Sequence, residues 1–351
     1  MKRSWLFTAA AAAVLELAGG CAVTPSQSPV QYTIPPFKAA PAVLQQRQSA
    51  FKAATAQVRS KVVAFYPAAL SGRITGEAML AKVQQLGFTG VMCELTSEAE
   101  LNDDLRSFML LCAQKNIPFE FMIRESYFYR KRHGNQLIRP LLHNYPDYRQ
   151  MVERVIAFIN SDKENVLPAA GITVVISPHL ISDSDSERGY NQLYSWSEES
   201  FGAGLDNDML VKRALQQLRE IAALPGLPPL TIGVPDFYHE LANSGKLSCG
   251  KVGDFLKISP RLLVISSGNL PTMLVKTVQD ELAAAPAESS VRIAVELADH
   301  VVVNQQQLRR RNWQDFCRAL EYATGKYVKN HAFKGVVLSP FSMIDFLYQE
   351  R

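Results

Sequence analysis

The fold is decided by Gly90-Val91-Met92-Cys93-Glu94-Leu95 and the later run Phe119-Glu120-Phe121-Met122-Ile123. Both are short, nearly continuous apolar runs, the pattern of parallel strands covered on both faces rather than of half-exposed antiparallel ones. Between them Leu101, Leu105, Phe108, Met109 and Cys112 recur at helical spacing, preceded by Ser97 and Glu100 as a capping pair. A strand, a helix and a second strand in this order form the repeating unit of α/β architecture.

Outward from that unit the alternation continues in both directions. Further strands are expected at Val62–Tyr66, Ile172–Ser177, Leu230–Val234, Leu262–Ser266, Val291–Glu296 and Gly335–Leu338. One helical stripe runs Val211, Leu215, Leu218 and Ile221, started by Asp206 or Asn207 and stopped at Pro225-Gly226. Another runs Trp313, Phe316, Cys317 and Leu320 and ends near Gly325. Eight strand–helix units over roughly 290 residues match a (β/α)8 TIM barrel in number and length. The alternative is a doubly wound open sheet, but no GxGxxG follows the first strand and no Walker loop is present.

Composition narrows the function classes. The 351 residues are 47% hydrophobic and 20% charged, which excludes a disordered or collagenous chain. A net charge of +4, from 37 basic and 33 acidic residues, is too mild for a nucleic-acid-binding surface. The five cysteines show neither CxxC nor Cys/His metal spacing, so zinc ribbons and iron–sulfur clusters are not expected. His179 and His239 have no second ligand at metal spacing, and no metal or other cofactor is expected. Cys93, Cys112 and Cys317 fall in strand or helix stripes and read as buried free thiols.

The N-terminal segment reads as a targeting sequence. Lys2 and Arg3 precede an apolar stretch, Trp5 to Leu17, that is too short to span a bilayer. It ends Leu17-Ala18-Gly19-Gly20-Cys21, which resembles a bacterial lipoprotein signal with residues 1–20 removed and Cys21 lipidated. Acyl chains on Cys21 would hold the domain to a membrane. In that family an Asp after the Cys favours the inner membrane. Ala22 stands there, so an outer-membrane location is expected. Residues 21–57 then comprise a Pro-rich tether, with Pro25, Pro29, Pro35, Pro36 and Pro41, and a polar helix at about 43–60 read as a lid or spacer. Residues 58–351 form the barrel.

Barrel sites sit at the C-terminal ends of the strands. The residues there are Tyr66, Glu94, Arg124, Glu125, Ser177, His179, Asp236, Ser266, Asn269, Glu296, Ser339 and Ser342. Two long connections, 124–145 and 178–206, roof this end, and Tyr127, Trp196 and Phe237 supply aromatic rings beside the carboxylates. Sugars stack their C–H faces on rings and offer hydroxyls to such acceptors.

Residues 58–351 resemble chitinase-like glycoside hydrolases. The family's fourth strand carries Asp-x-Glu-Pro-His with a Trp downstream, and this chain has Val175-Ile176-Ser177-Pro178-His179 with Trp196. The family's fifth strand reads Asp-x-Pro, and this chain has Gly233-Val234-Pro235-Asp236. Its sixth strand ends Met-x-Tyr, and this chain has Ile265-Ser266-Ser267. The seventh strand keeps its Glu at Glu296. Glycoside hydrolysis needs two groups flanking the scissile bond, and a serine hydroxyl is too weak an acid to replace the missing donor. The favoured expectation is therefore an envelope-anchored barrel that binds a glycan with weak or no hydrolase activity. Its ligand residues would be Tyr66, Arg124, Tyr127, His179, Trp196, Phe237 and Asn269. The alternatives are a hydrolase joining Glu296 to Glu94, Glu125 or Asp236, and a scaffold lipoprotein that docks an envelope protein. In a purely structural role, Glu296 would pair with Arg124 or another base, and Glu94 reads as structural.

Overall fold

The computed structural model describes residues 39–70, 74–124, 147–161, 166–176, 207–265, 271–296 and 313–349. Eight parallel strands close into a barrel in sequence order, β1 to β8, with β8 hydrogen-bonded back to β1. They are β1 Ser60–Phe65, β2 Gly90–Leu95, β3 Phe119–Ile123, β4 Gly171–Val175, β5 Leu230–Pro235, β6 Arg261–Ile265, β7 Ser290–Glu296 and β8 Phe333–Ser339. Closure rules out the open doubly wound sheet. The expected strands all exist, with ends displaced by at most two residues.

Alternation along each strand separates two cores. Val63, Phe65, Val91, Cys93, Phe121, Ile172, Ile232, Val264, Ile293 and Leu338 face the helices. Val62, Ala64, Met92, Met122, Val175, Leu263, Ile265, Ala294 and Val337 fill the barrel. The sheet is thus apolar on both sides, which is why its strands read as unbroken runs.

The helices are α1 Pro41–Ala54, α2 Gly76–Leu86, α3 Asp103–Gln114, α4 Tyr148–Ile159, α5 Asn207–Ala222, α6 Tyr238–Asn243, α7 Val252–Leu256, α8 Pro271–Ala284, α9 Trp313–Tyr327 and α10 Phe341–Gln349. Local chemistry sets several starts. Thr75 Oγ1, Asn102 Oδ1 and Asp147 Oδ1 accept from the N–H groups of Ala78, Leu105 and Gln150 at 3.2, 3.1 and 3.1 Å. Gly87, at φ 78°, ends α2 in the left-handed conformation that glycine adopts at least cost. The Ser97–Glu100 capping box closes a short 3-10 turn, Glu98–Glu100, rather than starting α3, whose N-cap is Asn102. Helix α9 runs through Gly325 to Tyr327, because Ala323, Thr324 and Tyr327 continue its buried stripe.

The polar helix expected as a lid or spacer instead packs into the shell. Phe51 is fully buried, with ring centroids 5.3 and 5.7 Å from those of Phe88 and Trp313. Trp313 Nε1 donates to Arg47 O at 2.8 Å, and Tyr348 OH donates to Leu44 O at 3.1 Å. Arg47 Nη1 donates to Leu347 O and Tyr348 O at 3.3 and 2.8 Å, satisfying two terminal carbonyls of α10. Lys82 of α2 holds Asp345 of α10 at 2.6 Å. Few apolar residues suffice for α1 because its backbone and Arg47 make the remaining contacts. Among the described residues no helix is long and apolar enough to cross a membrane.

Cys93, Cys112 and Cys317 are buried free thiols, as their stripes predicted, and Cys249 is half-buried and free. Burial pushes the Cys112 and Cys317 thiols up to about 12, so both stay protonated and unreactive at neutral pH.

Two features close the barrel's N-terminal end. Arg292 and Glu120, on β7 and β3 on opposite sides of the ring, form a two-pronged pair with N–O distances of 2.8 and 2.6 Å. On β8 the register advances from Val291↔Phe333 to Arg292↔Gly335, so Lys334 is the extra residue of a bulge. Gly335 then lies opposite Ser60, where a Cβ would meet Ser60 O at 1.9 Å.

Candidate functional site

The C-terminal end of the barrel is built by strand parity. Met92 and Met122 point into the barrel, so two residues further along Glu94 and Arg124 continue the same parity at the mouth. Their side chains meet, with Arg124 Nη1 3.9 Å from Glu94 Oε1 and side-chain exposures of 15% and 4%. Position 296 shares the parity of Arg292 and Ala294 and lies beside Ser339 in the β7–β8 register. The side chain of Glu296 lies outside the described residues. Arg124 therefore reaches Glu94, and Glu94 acquires a charged partner from the neighbouring strand.

The segment after Glu94 is held by Glu100. Its carboxylate accepts from Thr96 N, Thr96 Oγ1 and Ser97 N at 2.6, 2.7 and 3.1 Å. Three bonds on one carboxylate fix the exit of β2 and with it the backbone that carries Glu94.

On strands β4 and β5, Val175 and Gly233 stand at two positions where the sequence resemblance led to the expectation of acids. Val175 and Gly233 are register partners, and a Cβ on Gly233 would lie 2.4 Å from Val175 Cγ2. The Val175 side chain occupies the space that an acid at position 233 would need, so the two departures are sterically coupled. Ile265, Ala294 and Val337 continue this dry wall.

Asp236 follows inward-parity Pro235 and so falls on the helix-facing parity. It is 5% exposed, and its charge acts on Glu281 of α8 and Tyr327 of α9. Phe237 is half-buried, lies edge-on to Tyr238 at 5.1 Å and packs on the outer core. Tyr66 is half-buried and opens a 3-10 turn, its carbonyl accepting from Ala69 N at 2.8 Å. Glu125, Tyr127, His179, Trp196, Asn269 and Cys21 lie outside the described residues, as do both long connections apart from Arg124. His239 accepts from Val252 N through Nδ1 at 3.3 Å, and its Nε2 lies 2.9 Å from Asn243 Nδ2. Among the described residues no group of three His, Cys, Asp or Glu side chains is placed to hold a metal ion.

Sequence reasoning missed Glu281, whose carboxyl is strongly perturbed by burial. It is 2% exposed, and its Oε2 has no hydrogen-bond partner among the described residues. Burial pushes the carboxyl up to about 9; a backbone hydrogen bond opposes this, and the charges of Asp236, Asp280 and Glu240 add to it. The native protein retains this proton at pH 7, while the unfolded chain releases it above about pH 4.5. The stability that goes with it is complete below that pH and is lost progressively as pH rises toward 9. Glu281→Gln is therefore expected to stabilise the protein by about 3 kcal/mol at pH 7. It should also flatten the stability–pH slope between pH 5 and 9, measured by urea unfolding. An unchanged slope would show that Glu281 is ionised in the native state.

No family model matches the chain, and no curated protein matches it. Among solved structures it is similar to a thermostable mutant of a xylanase from Cellvibrio japonicus. That match has 10% identity, covers 81% of this chain and 87% of that one, and has a TM-score of 0.46. A putative lyase/mutase from Burkholderia cenocepacia gives 10%, 87%, 85% and 0.37 for the same quantities. The catalytic domain 2 of a group II chitinase from Ostrinia furnacalis gives 11%, 68%, 63% and 0.37. Likenesses this distant say nothing of this chain's chemistry. The barrel is established by its own strand order.

Proposed function

We propose that the chain is an exported, lipid-anchored barrel that binds a glycan at its C-terminal end and has weak or no hydrolase activity. The carrying observation is the coupled Val175–Gly233 contact, which fills the β4–β5 wall with hydrocarbon where a chitinase-like enzyme carries its acids. Hydrolysis through Glu296 would need a second carboxyl across the bond, about 5 to 9.5 Å away. Glu94 is engaged with Arg124, and Asp236 falls on the helix-facing parity. What the mouth offers is a carboxylate and a guanidinium above an apolar floor, a set suited to holding hydroxyls. The leader ending at Cys21 supports a membrane anchor, and Ala22 favours the outer membrane.

A glycan array run beside hydrolysis assays tests this reading, comparing the wild type with Glu296→Gln. Binding without turnover is expected in both proteins. Turnover in the wild type that disappears in the variant would replace the proposal with an active glycosidase, and absence of any glycan binding would remove it. In the producing cell the wild type is expected in the membrane fraction and Cys21→Ser in the soluble fraction.

A further inference from the structure

The N-terminal end of the barrel, opposite the mouth, gathers bases on the connections that enter the strands. Arg59 precedes β1, and Lys61 is the second residue of that strand. Lys257 and Arg261 stand at the entry to β6, Lys329 and Lys334 at the entry to β8, and Lys115 before β3. Arg59, Lys115, Lys257, Arg261 and Lys329 are exposed, and Lys61 and Lys334 are half-buried. Acids are few at this end among the described residues. Glu120 is neutralised inside the barrel by Arg292, Asp254 lies 3.9 Å from Lys257, and Glu288 precedes β7. Asp162, Lys163 and Glu164, outside the described residues, contribute one net negative charge by sequence. Seven bases, less Asp254, Glu288 and that one charge, leave +4 at this end, as much as the whole chain carries.

Helix dipoles account for only part of this. Lys115, Lys257 and Lys329 follow helix C-termini, where a cation answers the macrodipole. Arg59, Lys61, Arg261 and Lys334 lie on or beside strand starts, where no helix end calls for a base. Among the described residues no acid forms an ion pair with Arg59, Lys61, Arg261 or Lys334. Burial and the neighbouring charge of Lys52, in the last turn of α1, hold the Lys61 ammonium below its ordinary value. Like charges are thus crowded here at a cost that an anion outside this end would relieve.

We propose that this end is the face the barrel turns toward a bilayer containing anionic phospholipids, with the mouth directed away from it. The inference rests on the membrane-anchor reading and adds the orientation of the barrel. Residues 21–38 span at most about 60 Å when extended, so a lipid on Cys21 leaves every face of the barrel free to meet the surface. Bases spread over the entries to β6, β8, β1 and β3 match an extended array of phosphates, whereas one small anion needs donors that converge. Screening within about 8 Å at physiological ionic strength confines the attraction to close approach. The acyl chains hold the chain to the membrane, and the basic end sets which way it faces.

The test is co-sedimentation of the mature chain carrying Cys21→Ser, which has no acyl group, with vesicles of phosphatidylcholine alone or mixed in equal parts with phosphatidylglycerol. Binding is expected to the mixed vesicles only, and it should fall as salt rises. The triple variant Arg59→Glu/Arg261→Glu/Lys329→Glu should bind at least about tenfold more weakly. Arg149→Glu/Arg213→Glu/Arg318→Glu changes net charge equally, at exposed positions in the N-terminal halves of α4, α5 and α9, toward the mouth. It should lose less than about twofold. Thermal unfolding identifies any variant that fails to fold, and glutamine at the same three positions then replaces glutamate, with a smaller loss expected. Equal losses in the two triple variants would assign binding to net charge and overturn the proposal. Binding to neutral vesicles as tight as to mixed ones, or to neither, would overturn it too. So would binding of polyphosphate in solution without binding to the mixed vesicles, which would place a soluble polyanion on this end. The anchor is read separately: wild type found in the soluble fraction of the producing cell would remove the anchor while vesicle binding stood.

Discussion

Arg292→Met is expected to destabilise the barrel by about 3–5 kcal/mol, because it leaves Glu120 charged inside the barrel without its guanidinium. The two side chains are only 10% and 15% exposed, so solvent screens little of the loss. The informative comparison is the double variant Glu120→Leu/Arg292→Met. Two ions are replaced there by hydrocarbon of similar volume, and most of the lost stability should return. Urea unfolding of the two variants measures this. A double variant no better than the single one would mean that the pair is held for its shape rather than its charge balance. The absent side chain of Gly171, where a Cβ would lie 3.7 Å from Glu120 Oε2, leaves the Glu120 carboxylate its room.

Gly335→Ala is expected to cost more than about 4 kcal/mol and to leave little folded protein. The added methyl would sit 1.9 Å from Ser60 O and 2.7 Å from Ser60 C. Both are backbone atoms of the strand that closes the ring, so no side-chain rotation relieves the clash. Opening the β1–β8 seam would expose two strand edges at once, which couples this residue to closure itself. Gly325→Ala provides the contrast within one experiment. Gly325 lies inside α9 with nothing within 4 Å of the added carbon, so alanine should stabilise by about 0.5–1 kcal/mol. Thermal unfolding of both variants separates a steric requirement from a general dislike of change at glycine. Similar melting temperatures for the two would refute the close approach at Ser60.

The strand–helix alternation was legible in the sequence because both faces of the sheet are apolar. Gly90–Leu95 and Phe119–Ile123 were read to the residue, and the other strands were read within two. Helix ends were less legible. The Ser97–Glu100 box is a valid cap, but which turn it caps depends on Asn102 competing for the start of α3. Helix α1 read as a spacer because its exposed residues are polar; its burial comes from Phe51, Trp313 and Tyr348, two of which lie over 250 residues away.

For the site, sequence supplied the candidates and the fold supplied the partners. Alternation placed Glu94 and Arg124 at strand ends, and Val175, Ser177 and Gly233 were readable as departures from the motif the sequence was compared with. That Arg124 reaches Glu94, and that Val175 fills the space above Gly233, depends on which strands become neighbours in a closed ring. The same holds for Glu120 with Arg292 and for Glu281 with Asp236. Charges set within apolar runs were visible signals, but a partner 172 residues distant was not. Local pattern determines which face of a strand or helix is apolar, because that depends only on the repeat of the backbone. Ion pairing, proton retention and the shape of the mouth are decided by the closed barrel, because they depend on distances between chain segments that only closure brings together.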